Sequence, residues 1–418
     1  MNNKTGRHAS RRTPLKRAPE CTIVVASDWA PIRAFDPIIK SDPESAYGDM
    51  LPQLRSADLR IVNCECALTS SRKPAWKSGA TFKGEPQHAK GLTVVPFEVA
   101  CLANNHVFDY GLPGFRESLD VLHQNGIRTT GAGLTEEQAC APLALTCNGN
   151  RISLVNMSEG EDLTAARGGP GVCGWDLAAT LATIHQRKRN GDFVIVIAHC
   201  GLEYIPYPPP YVVAAFRAMV DAGADCVIGH HPHVPQGIEW YQSRPIAYSL
   251  GNFVFYQHTD LYYRKVGFCI RLKLAGNALA SLEMLPYRIT ETGLRRLGPA
   301  EEKRFHRKMA RISKPLHARA GAAKAWEAYL AYYGMSGFTG EVLGIVERMR
   351  SEPQKGAAMF RNRITTLQHA ELWRDFLARI VDEEQRPYSR EAFRVIREWF
   401  TKKAASAKAT TKYTKTGR

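Results

Sequence analysis

Polar residues that could bind metal ions or move protons follow the apolar, β-rich segments of this 418-residue chain. In open α/β sheets, functional residues gather just beyond the carboxyl ends of the strands. The spacing therefore predicts that these side chains converge on one rim of a sheet. They are Asp28 after VVAS, Asn63 and Glu65 after LRIV, Asn104, Asn105 and His106 after VACLA, His199 at the end of FVIVIAH, and His230, His231 and His233 after DCVIG.

The chemistry of this set is that of a divalent metal site. A lone Asp or His at a strand end is more often a cap or a hydrogen-bonded turn residue, but here such residues follow several successive strands. Carboxylate oxygens, an amide oxygen and imidazole nitrogens suit two divalent ions about 3.5–4 Å apart that clamp a phosphoryl-type centre and activate water. Glu65 is the candidate bridging carboxylate, and Asp109 or Glu203 could orient the imidazole rings.

The elements that must position these residues are short apolar segments separated by helical stretches. Near-continuous apolar runs are typical of strands buried on both faces. The predicted strands cover 21–27, 59–63, 99–103, 152–156, 193–199, 225–230, 245–255, 266–274 and 280–289. Helical periodicity is found over 111–126 and 210–225. This alternation, followed by antiparallel-looking strands, predicts an α/β sandwich of mixed sheets.

The composition changes after residue 290. Residues 300–400 are rich in Ala, Arg, Glu and Leu, with apolar residues at helical spacing. A last helix is predicted to begin at the N-cap Ser389. We therefore expect an all-helical accessory region over 291–401, whose apolar stripe forms core or a docking surface rather than a cofactor site.

The formal charge of +16 is concentrated at the two ends of the chain. Residues 1–20 and 402–418 together carry +11 of it. Both segments are predicted to be disordered basic tails, although such tails can also contact nucleic acid, an acidic polymer or anionic lipid. Nucleic-acid binding is disfavoured because no aromatic-rich basic face accompanies the charge.

The ten cysteines favour neither zinc nor a disulfide framework, because no Cys-x-x-Cys is present. Six of them lie in apolar runs, which predicts small buried core residues in a reducing compartment. No apolar signal segment and no run of about 20 apolar residues is found, so the sequence predicts a cytoplasmic protein without a transmembrane segment.

Several long motifs resemble the capsule-synthesis CapA family of poly-γ-glutamate biosynthesis. They are LANNHVFDYG (102–111), GAGLTEEQACAPL (131–143), AHCGLEY (198–204), DAGADCVIGHHPHVPQGIEWY (221–241) and AYSLGNFVF (247–255). The resemblance covers residues 21–290 and implies a calcineurin-like metallophosphoesterase fold, an α/β/β/α sandwich.

The resemblance also implies roles for individual residues. His106 would be the catalytic acid or anion stabiliser. Asn63, Asn104, Asp109, Glu203 and His230 remain candidates for orienting the ligands or contacting substrate. The implied metal ligands are Asp28, Glu65, Asn105, His199, His231 and His233. One departure concerns the position two residues after the first acid, where metallophosphoesterases have a ligand histidine and this chain has Ala30. A centre with one ion therefore stays open beside a centre with two, and Mn, Fe, Zn and Mg all remain candidates.

Two functions follow from these patterns. The first is a metal-dependent hydrolase of the metallophosphoesterase class that acts on a phosphoester or γ-glutamyl substrate. The second is a non-catalytic assembly factor that binds an anionic capsule polymer or a capsule synthetase and holds a structural metal. One fold hosts many reactions, so the sequence predicts the site more firmly than the substrate.

Overall fold

The computed structural model describes residues 19–383 and 386–404. The strands are β1 (Glu20–Trp29), β2 (Leu59–Cys64), β3 (Ala67–Leu68), β4 (Lys83–Gly84), β5 (Val99–Cys101), β6 (Arg128–Thr130), β7 (Ala132–Gly133), β8 (Leu143–Cys147), β9 (Asn150–Ser158), β10 (Gly171–Val172), β11 (Phe193–His199), β12 (Cys226–His230), β13 (Ile238–Tyr241), β14 (Arg244–Ala247), β15 (Val266–Ala275), β16 (Ala278–Thr290) and β17 (Gly293–Arg296). The α-helices are α1 (Phe35–Ser41), α2 (Leu51–Arg55), α3 (Ala89–Thr93), α4 (Gly111–Gln124), α5 (Glu136–Cys140), α6 (Leu177–Arg189), α7 (Pro210–Asp221), α8 (Pro299–Ser313), α9 (Gly321–Ser351), α10 (Pro353–Thr365), α11 (Leu367–Val381) and α12 (Arg390–Thr401).

Two mixed sheets form the centre of the molecule. The larger has the order β17-β16-β15-β1-β2-β5-β6, and the smaller has the order β13-β14-β12-β11-β9-β8. In the larger sheet β1, β2, β5 and β6 run parallel, whereas β15 pairs antiparallel with β1. In the smaller sheet β9, β11, β12 and β14 run parallel. The carboxyl ends of the parallel strands therefore lie at one edge of each sheet.

Alternation along the strands explains the layering, since successive side chains point to opposite faces. Ile23 and Val25 of β1 share a core with Ile195 and Ile197 of β11, between the two sheets. Val24 faces helices α1 to α4 instead. Residues of β9, β11 and β12 that face the other way pack against α6 and α7. The predicted α/β/β/α order of layers, with additional C-terminal helices, is confirmed.

One predicted strand is shorter than expected. The sequence predicts a strand over the apolar segment 245–255, but β14 ends at Ala247. Gly251 has a φ of +79°, a backbone conformation that residues other than glycine rarely adopt. The chain turns there, and Asn252 then bridges to Asp28 of β1. The helix predicted to begin at Ser389 does so, because its hydroxyl accepts a hydrogen bond of 3.1 Å from the Ala392 amide.

The expectation that the cysteines are unpaired is wrong for four of them. Cys21 is bonded to Cys147, and Cys140 is bonded to Cys173. The first bond joins β1 of the larger sheet to β8 of the smaller, so the pairing depends on how the sheets pack rather than on spacing along the chain. Disulfides persist in oxidising compartments, which removes the argument for a cytoplasmic location. The remaining six cysteines are buried thiols. They include five of the six predicted from apolar runs, Cys64, Cys101, Cys200, Cys226 and Cys269, whereas Cys21 is the exception.

The predicted basic tails lie outside the described residues, apart from 19–20 and 402–404. Within 402–404, Lys403 forms an ion pair of 2.7 Å with Asp260. Across the residues that the structure describes, no helix has the length and apolar character needed to cross a membrane.

Candidate metal centre

Both sheets contribute side chains to one buried cluster at the carboxyl ends of their strands. Asp28 lies at the end of β1, and Glu65 follows β2. The Glu65 amide donates a hydrogen bond of 2.9 Å to the Trp29 carbonyl, which fixes the chain as it leaves the sheet. His199 ends β11, and the segment after β12 carries His231 and His233.

Glu65 lies at the centre of the cluster. Its Oε1 atom is 3.5 Å from His199 Nε2 and 3.6 Å from His233 Nε2. Two groups of side chains share this carboxylate. Within each group, the possible ligand atoms lie within 4.8 Å of one another. One group is Asp28, Glu65 and His199, and the other is Glu65, His231 and His233. The arrangement suits a carboxylate that bridges two ions, although each group alone would also suit one ion.

Several buried polar atoms of the cluster have no hydrogen-bond partner among the described residues. They are both carboxylate oxygens of Glu65, Oδ2 of Asp28, Oδ1 of Asn63 and Nε2 of His230. A buried polar group without a partner costs free energy, and buried charges are normally paired or coordinate metals. The residues therefore fit a divalent cation, which would satisfy the oxygens that have no hydrogen-bond partner.

The histidines are oriented by partners on the side away from Glu65. His233 Nδ1 lies 2.8 Å from Asn252 Oδ1, and His231 Nε2 lies 2.9 Å from Gln368 Oε1. Each contact fixes one ring nitrogen as the donor and leaves the other free to bind a cation. His231 Nδ1 is 3.1 Å from His199 Nε2, and Asn105 Oδ1 is 3.0 Å from that same nitrogen. His199 Nε2 therefore lies close to both other atoms.

The backbone after β12 adopts an unusual conformation to aim these rings. His231 and His233 have φ angles of +97° and +57°, in a region that non-glycine residues seldom occupy. Such conformations persist at functional sites where the surrounding structure enforces them. Here the strain brings two imidazoles of one short segment to the same carboxylate.

His106 forms a separate dyad beside the cluster. Its Nδ1 lies 2.7 Å from Asp109 Oδ2, and its Nε2 points to Glu65 at 3.9 Å. The other oxygen of Asp109 pairs with Lys77 at 2.8 Å, and the Lys77 ammonium also donates to the Asn105 carbonyl at 2.7 Å. Because the Asp109 carboxylate can only accept, Nδ1 carries a proton and Nε2 is left to face the centre.

Burial and neighbouring charges shift the pKa values of three side chains in the cluster. Burial raises the pKa of Asp28, but the neighbouring imidazoles of His230 and His233 outweigh it and hold that pKa well below its usual value. Burial raises the pKa of Glu65 well above its usual value. Burial lowers the pKa of His233, yet the charges of Glu65 and Asp28 raise it to about 10. The cluster thus holds protons that a bound cation would displace.

Protonation of His199 and His106 is disfavoured. Burial, reinforced by the charge of His231, lowers the pKa of His199 well below its usual value. Burial also lowers the pKa of His106, and the neighbouring charge of Asp109 offsets this only in part. Neutral imidazole is the form that binds metals, and a neutral His106 presents a proton acceptor at Nε2.

The remaining predicted residues support the cluster from outside. Asn63 Nδ2 donates to Asp28 Oδ1 at 2.9 Å, and His230 Nδ1 lies 3.2 Å from that same oxygen. Asn104 Oδ1 accepts from the His106 amide at 3.0 Å and so shapes the turn after β5. Glu203 Oε1 is 3.6 Å from His233 Nε2, and its side chain is 38% exposed.

Sequence reasoning missed several residues that complete the site. Glu161 accepts from Asn105 Nδ2 at 2.9 Å and from Asn362 Nδ2 at 2.8 Å. Asn362 lies in α10 and Gln368 in α11, so the C-terminal helices reach the cluster. Asn252 stands in the quoted motif AYSLGNFVF, which was a usable signal. For Glu161, Asn362 and Gln368 the sequence held no comparable signal.

A cavity of about 360 Å³ opens beside the cluster. Its wall includes Asn105, His106 and His233, so solutes can reach one side of the centre. Glu161 and Glu203 also line it, together with His369 from α11. The cavity is large enough for part of a polymer or a small phosphoester.

Comparison with known proteins identifies the family. The model of the family "Bacterial capsule synthesis protein PGA_cap" matches residues 22–257. The chain belongs to this family. The PGA biosynthesis protein CapA of Bacillus subtilis is 36% identical over 219 residues, which are 51% of this chain and 57% of that protein. The capsule biosynthesis protein CapA of Bacillus anthracis is 32% identical over 249 residues, which are 57% of this chain and 60% of that protein.

The match to other PGA_cap relatives is also partial. A probable polyglutamine synthesis accessory protein of Mycobacterium tuberculosis is 30% identical over 64% of this chain and 76% of that protein. The chain thus spans less than two thirds of the length of the two CapA proteins. Among solved structures, a 5'-nucleotidase precursor from Thermus thermophilus aligns with 70% of this chain and 58% of its own, at 12% identity and a TM-score of 0.41.

Proposed function

We propose that this PGA_cap protein is a metal-dependent hydrolase that cleaves a phosphoester or γ-glutamyl bond in capsule-polymer metabolism. The observation that carries the proposal is Glu65, a fully buried carboxylate with three histidines nearby and no hydrogen-bond partner for either oxygen among the described residues. A purely structural buried carboxylate would normally accept hydrogen bonds.

The proposed ligands fall into two groups that share Glu65. Asp28 and His199 would hold one ion, and His231 and His233 would hold the other, with the Asn105 amide oxygen, 3.0 Å from His199 Nε2, as a further ligand. When bound, divalent ions act as Lewis acids and lower the pKa of water, which is the chemistry that hydrolysis requires. Ala30 stands where a further imidazole is expected, so the Asp28 group lacks that ligand and would bind its ion more weakly.

His106 would move the proton during turnover. Asp109 holds the Nδ1 proton at 2.7 Å, so the imidazole keeps one orientation and Nε2 faces the centre. In the neutral form Nε2 accepts a proton from water or substrate, and in the protonated form it donates that proton to the leaving group. Asp109 would stabilise the imidazolium between these steps, and Lys77 balances the charge of Asp109.

A second function, non-catalytic assembly with a capsule synthetase, is favoured by the surface of the C-terminal helices. Large apolar side chains are exposed on α9 to α11, including Leu343 at 66% and Val381 at 79%. Exposed apolar side chains of this size are typical of interaction surfaces when they are contiguous. The two disulfides also support an oxidising compartment as the place of action.

The two functions are distinguished by turnover. Purified protein is loaded with Mn²⁺ or Zn²⁺ and assayed with a phosphomonoester, a phosphodiester and a γ-glutamyl anilide. We expect one of these to be cleaved, and His106→Ala to lower the rate by about 10²–10⁴-fold with metal content unchanged. His185→Ala, at an exposed helix position, is the matched control and keeps full rate. Binding of metal with no cleavage of any of the three substrates would favour the assembly factor.

A further inference from the structure

One wall of the cavity is a row of four aromatic rings that passes the candidate metal centre. The centroids of Phe82 and Phe255 are 5.0 Å apart, and those of Phe255 and His233 are also 5.0 Å apart. Tyr204 continues the row and stacks on His233 with a centroid distance of 5.9 Å. All four residues line the cavity. The row therefore forms a continuous part of the cavity wall and includes a predicted metal ligand, His233.

An arginine lies at each end of this row. The guanidinium carbon of Arg33 is 5.8 Å from the centroid of Phe82, and that of Arg264 is 3.6 Å from the centroid of Tyr204. Arg33 also donates a hydrogen bond of 2.8 Å to the Tyr256 carbonyl. Cation–π contacts hold the two guanidinium groups in place, so less conformational entropy is lost when they bind an anion.

The two arginines carry the uncompensated positive charge of the cavity. Four Lys or Arg side chains line it, and two of them, Lys77 and Arg363, pair with carboxylates at 2.8 and 3.4 Å. For Arg33 and Arg264, no carboxylate lies within 4.0 Å in the part of the chain that the structure describes. Arg33 is exposed and Arg264 is half-buried, so both are accessible from the cavity.

The geometry favours carboxylates as the anions. A single guanidinium matches one carboxylate in charge and in its bidentate hydrogen bonds. A phosphate dianion carries one charge more than a single guanidinium neutralises. The nearby carboxylate Glu203 faces His233 rather than a guanidinium group.

We propose that Arg33 and Arg264 bind two carboxylates of one substrate chain, which crosses the cavity along the aromatic row. The bond between the two anchored carboxylates then lies opposite His233 and the rest of the centre. This inference rests on the proposed hydrolase function, and it adds a requirement for anionic groups on both sides of the reacting bond. A substrate with one charged group would use only one of the two anchors.

The test measures binding rather than turnover. A γ-linked glutamate pentamer is titrated into the protein by isothermal calorimetry at low and moderate salt, with the neutral isoglutamine pentamer and tripolyphosphate as comparison probes. We expect Arg33→Gln and Arg264→Gln each to weaken pentamer binding by about tenfold, and the double variant by about a hundredfold. Arg116→Gln removes an equal charge from an exposed position of α4 and should change binding by less than about twofold.

The outcomes separate this inference from the proposed hydrolysis. Unchanged pentamer binding in both single variants, at wild-type melting temperature and metal content, overturns the anchors. Arginine-dependent binding of tripolyphosphate without binding of the pentamer overturns the carboxylate assignment. If the arginine variants weaken pentamer binding in a protein that cleaves no substrate, the anchors are retained and the hydrolase proposal fails.

Discussion

Gln368 provides a sharp test of how the C-terminal helices act on the centre. It is 1% exposed, and its Oε1 accepts from His231 Nε2 at 2.9 Å. Replacement by alanine removes this acceptor, and the next one, Glu161 Oε2, lies 3.7 Å from the same nitrogen. The imidazole then loses the contact that selects the tautomer with a free Nδ1.

The size of the effect follows from this geometry. A buried donor left without an acceptor costs about 1–3 kcal/mol. Loss of a partner that orients a metal-binding histidine typically lowers metal affinity by about 10–100-fold. Since Glu161 is close enough to compensate in part after a small rotation of the ring, we expect Gln368→Ala to weaken metal binding by about tenfold.

The assay is a competition titration of metal against a chromophoric chelator, with melting temperature measured in EDTA and in excess metal. Gln87→Ala, at an exposed position, is the control and should leave the affinity unchanged. A Gln368→Ala protein that binds metal like the wild type, but melts earlier in EDTA and in metal alike, would refute the positioning role. Gln368 would then stabilise only the docking of α11.

Further predictions concern charge, cross-linking and pH. Glu65→Gln should abolish metal binding, as measured by plasma mass spectrometry, but leave the melting temperature in EDTA near the wild-type value, because burial raises the pKa of Glu65 and glutamine resembles the protonated acid; Glu44→Gln, at the surface, should leave metal binding unchanged. Cys21→Ser opens a covalent link across a sequence separation of 126 residues and should lower the free energy of unfolding in urea by about 4–5 kcal/mol, with Cys147→Ser equivalent and the double variant no worse. Burial raises the pKa of Glu398, but hydrogen bonds from Lys308 and Tyr263 outweigh it and lower that pKa from 4.5 to about 2. Its stabilising contribution is therefore complete above about pH 4.5 and lost as the pH falls through about 2. Glu398→Gln should melt below the wild type at about pH 6, and the gap should close toward about pH 2; a constant gap would contradict this assignment.

The residues at the strand ends could be predicted because two signals coincide there. Each buried strand is an uninterrupted apolar run, and a polar residue directly after it marks where the chain leaves the sheet. Parallel strands then bring Asp28 and His199 to neighbouring edges without any knowledge of the loops. The short spacing of His231 and His233 added a further indication.

The contributions from the helices could not be predicted in this way. The apolar stripe of α11 shows that one face of the helix is buried, but not what it is buried against. Gln368 stands in the first turn of that helix, and its contact with His231 depends on how α11 docks across a separation of 137 residues. The same holds for Cys21 and Cys147, whose pairing is set by the stacking of two sheets.

The bond between Cys21 and Cys147 has a consequence for how metal occupancy and redox state act together. It joins the sheets near the amino end of β1, about 23 Å along that strand from Asp28, whereas the candidate centre joins the same sheets at the carboxyl ends. Separation of the two sheets must break both the disulfide and the contacts at the candidate centre. A ligand that binds only the closed sandwich stabilises it by mass action, so a reduced protein should depend more strongly on its metal, and a chelated protein on its disulfide. Purification with chelator and reductant together would remove the metal and open the disulfide, and the two sheets would lose a link at each end.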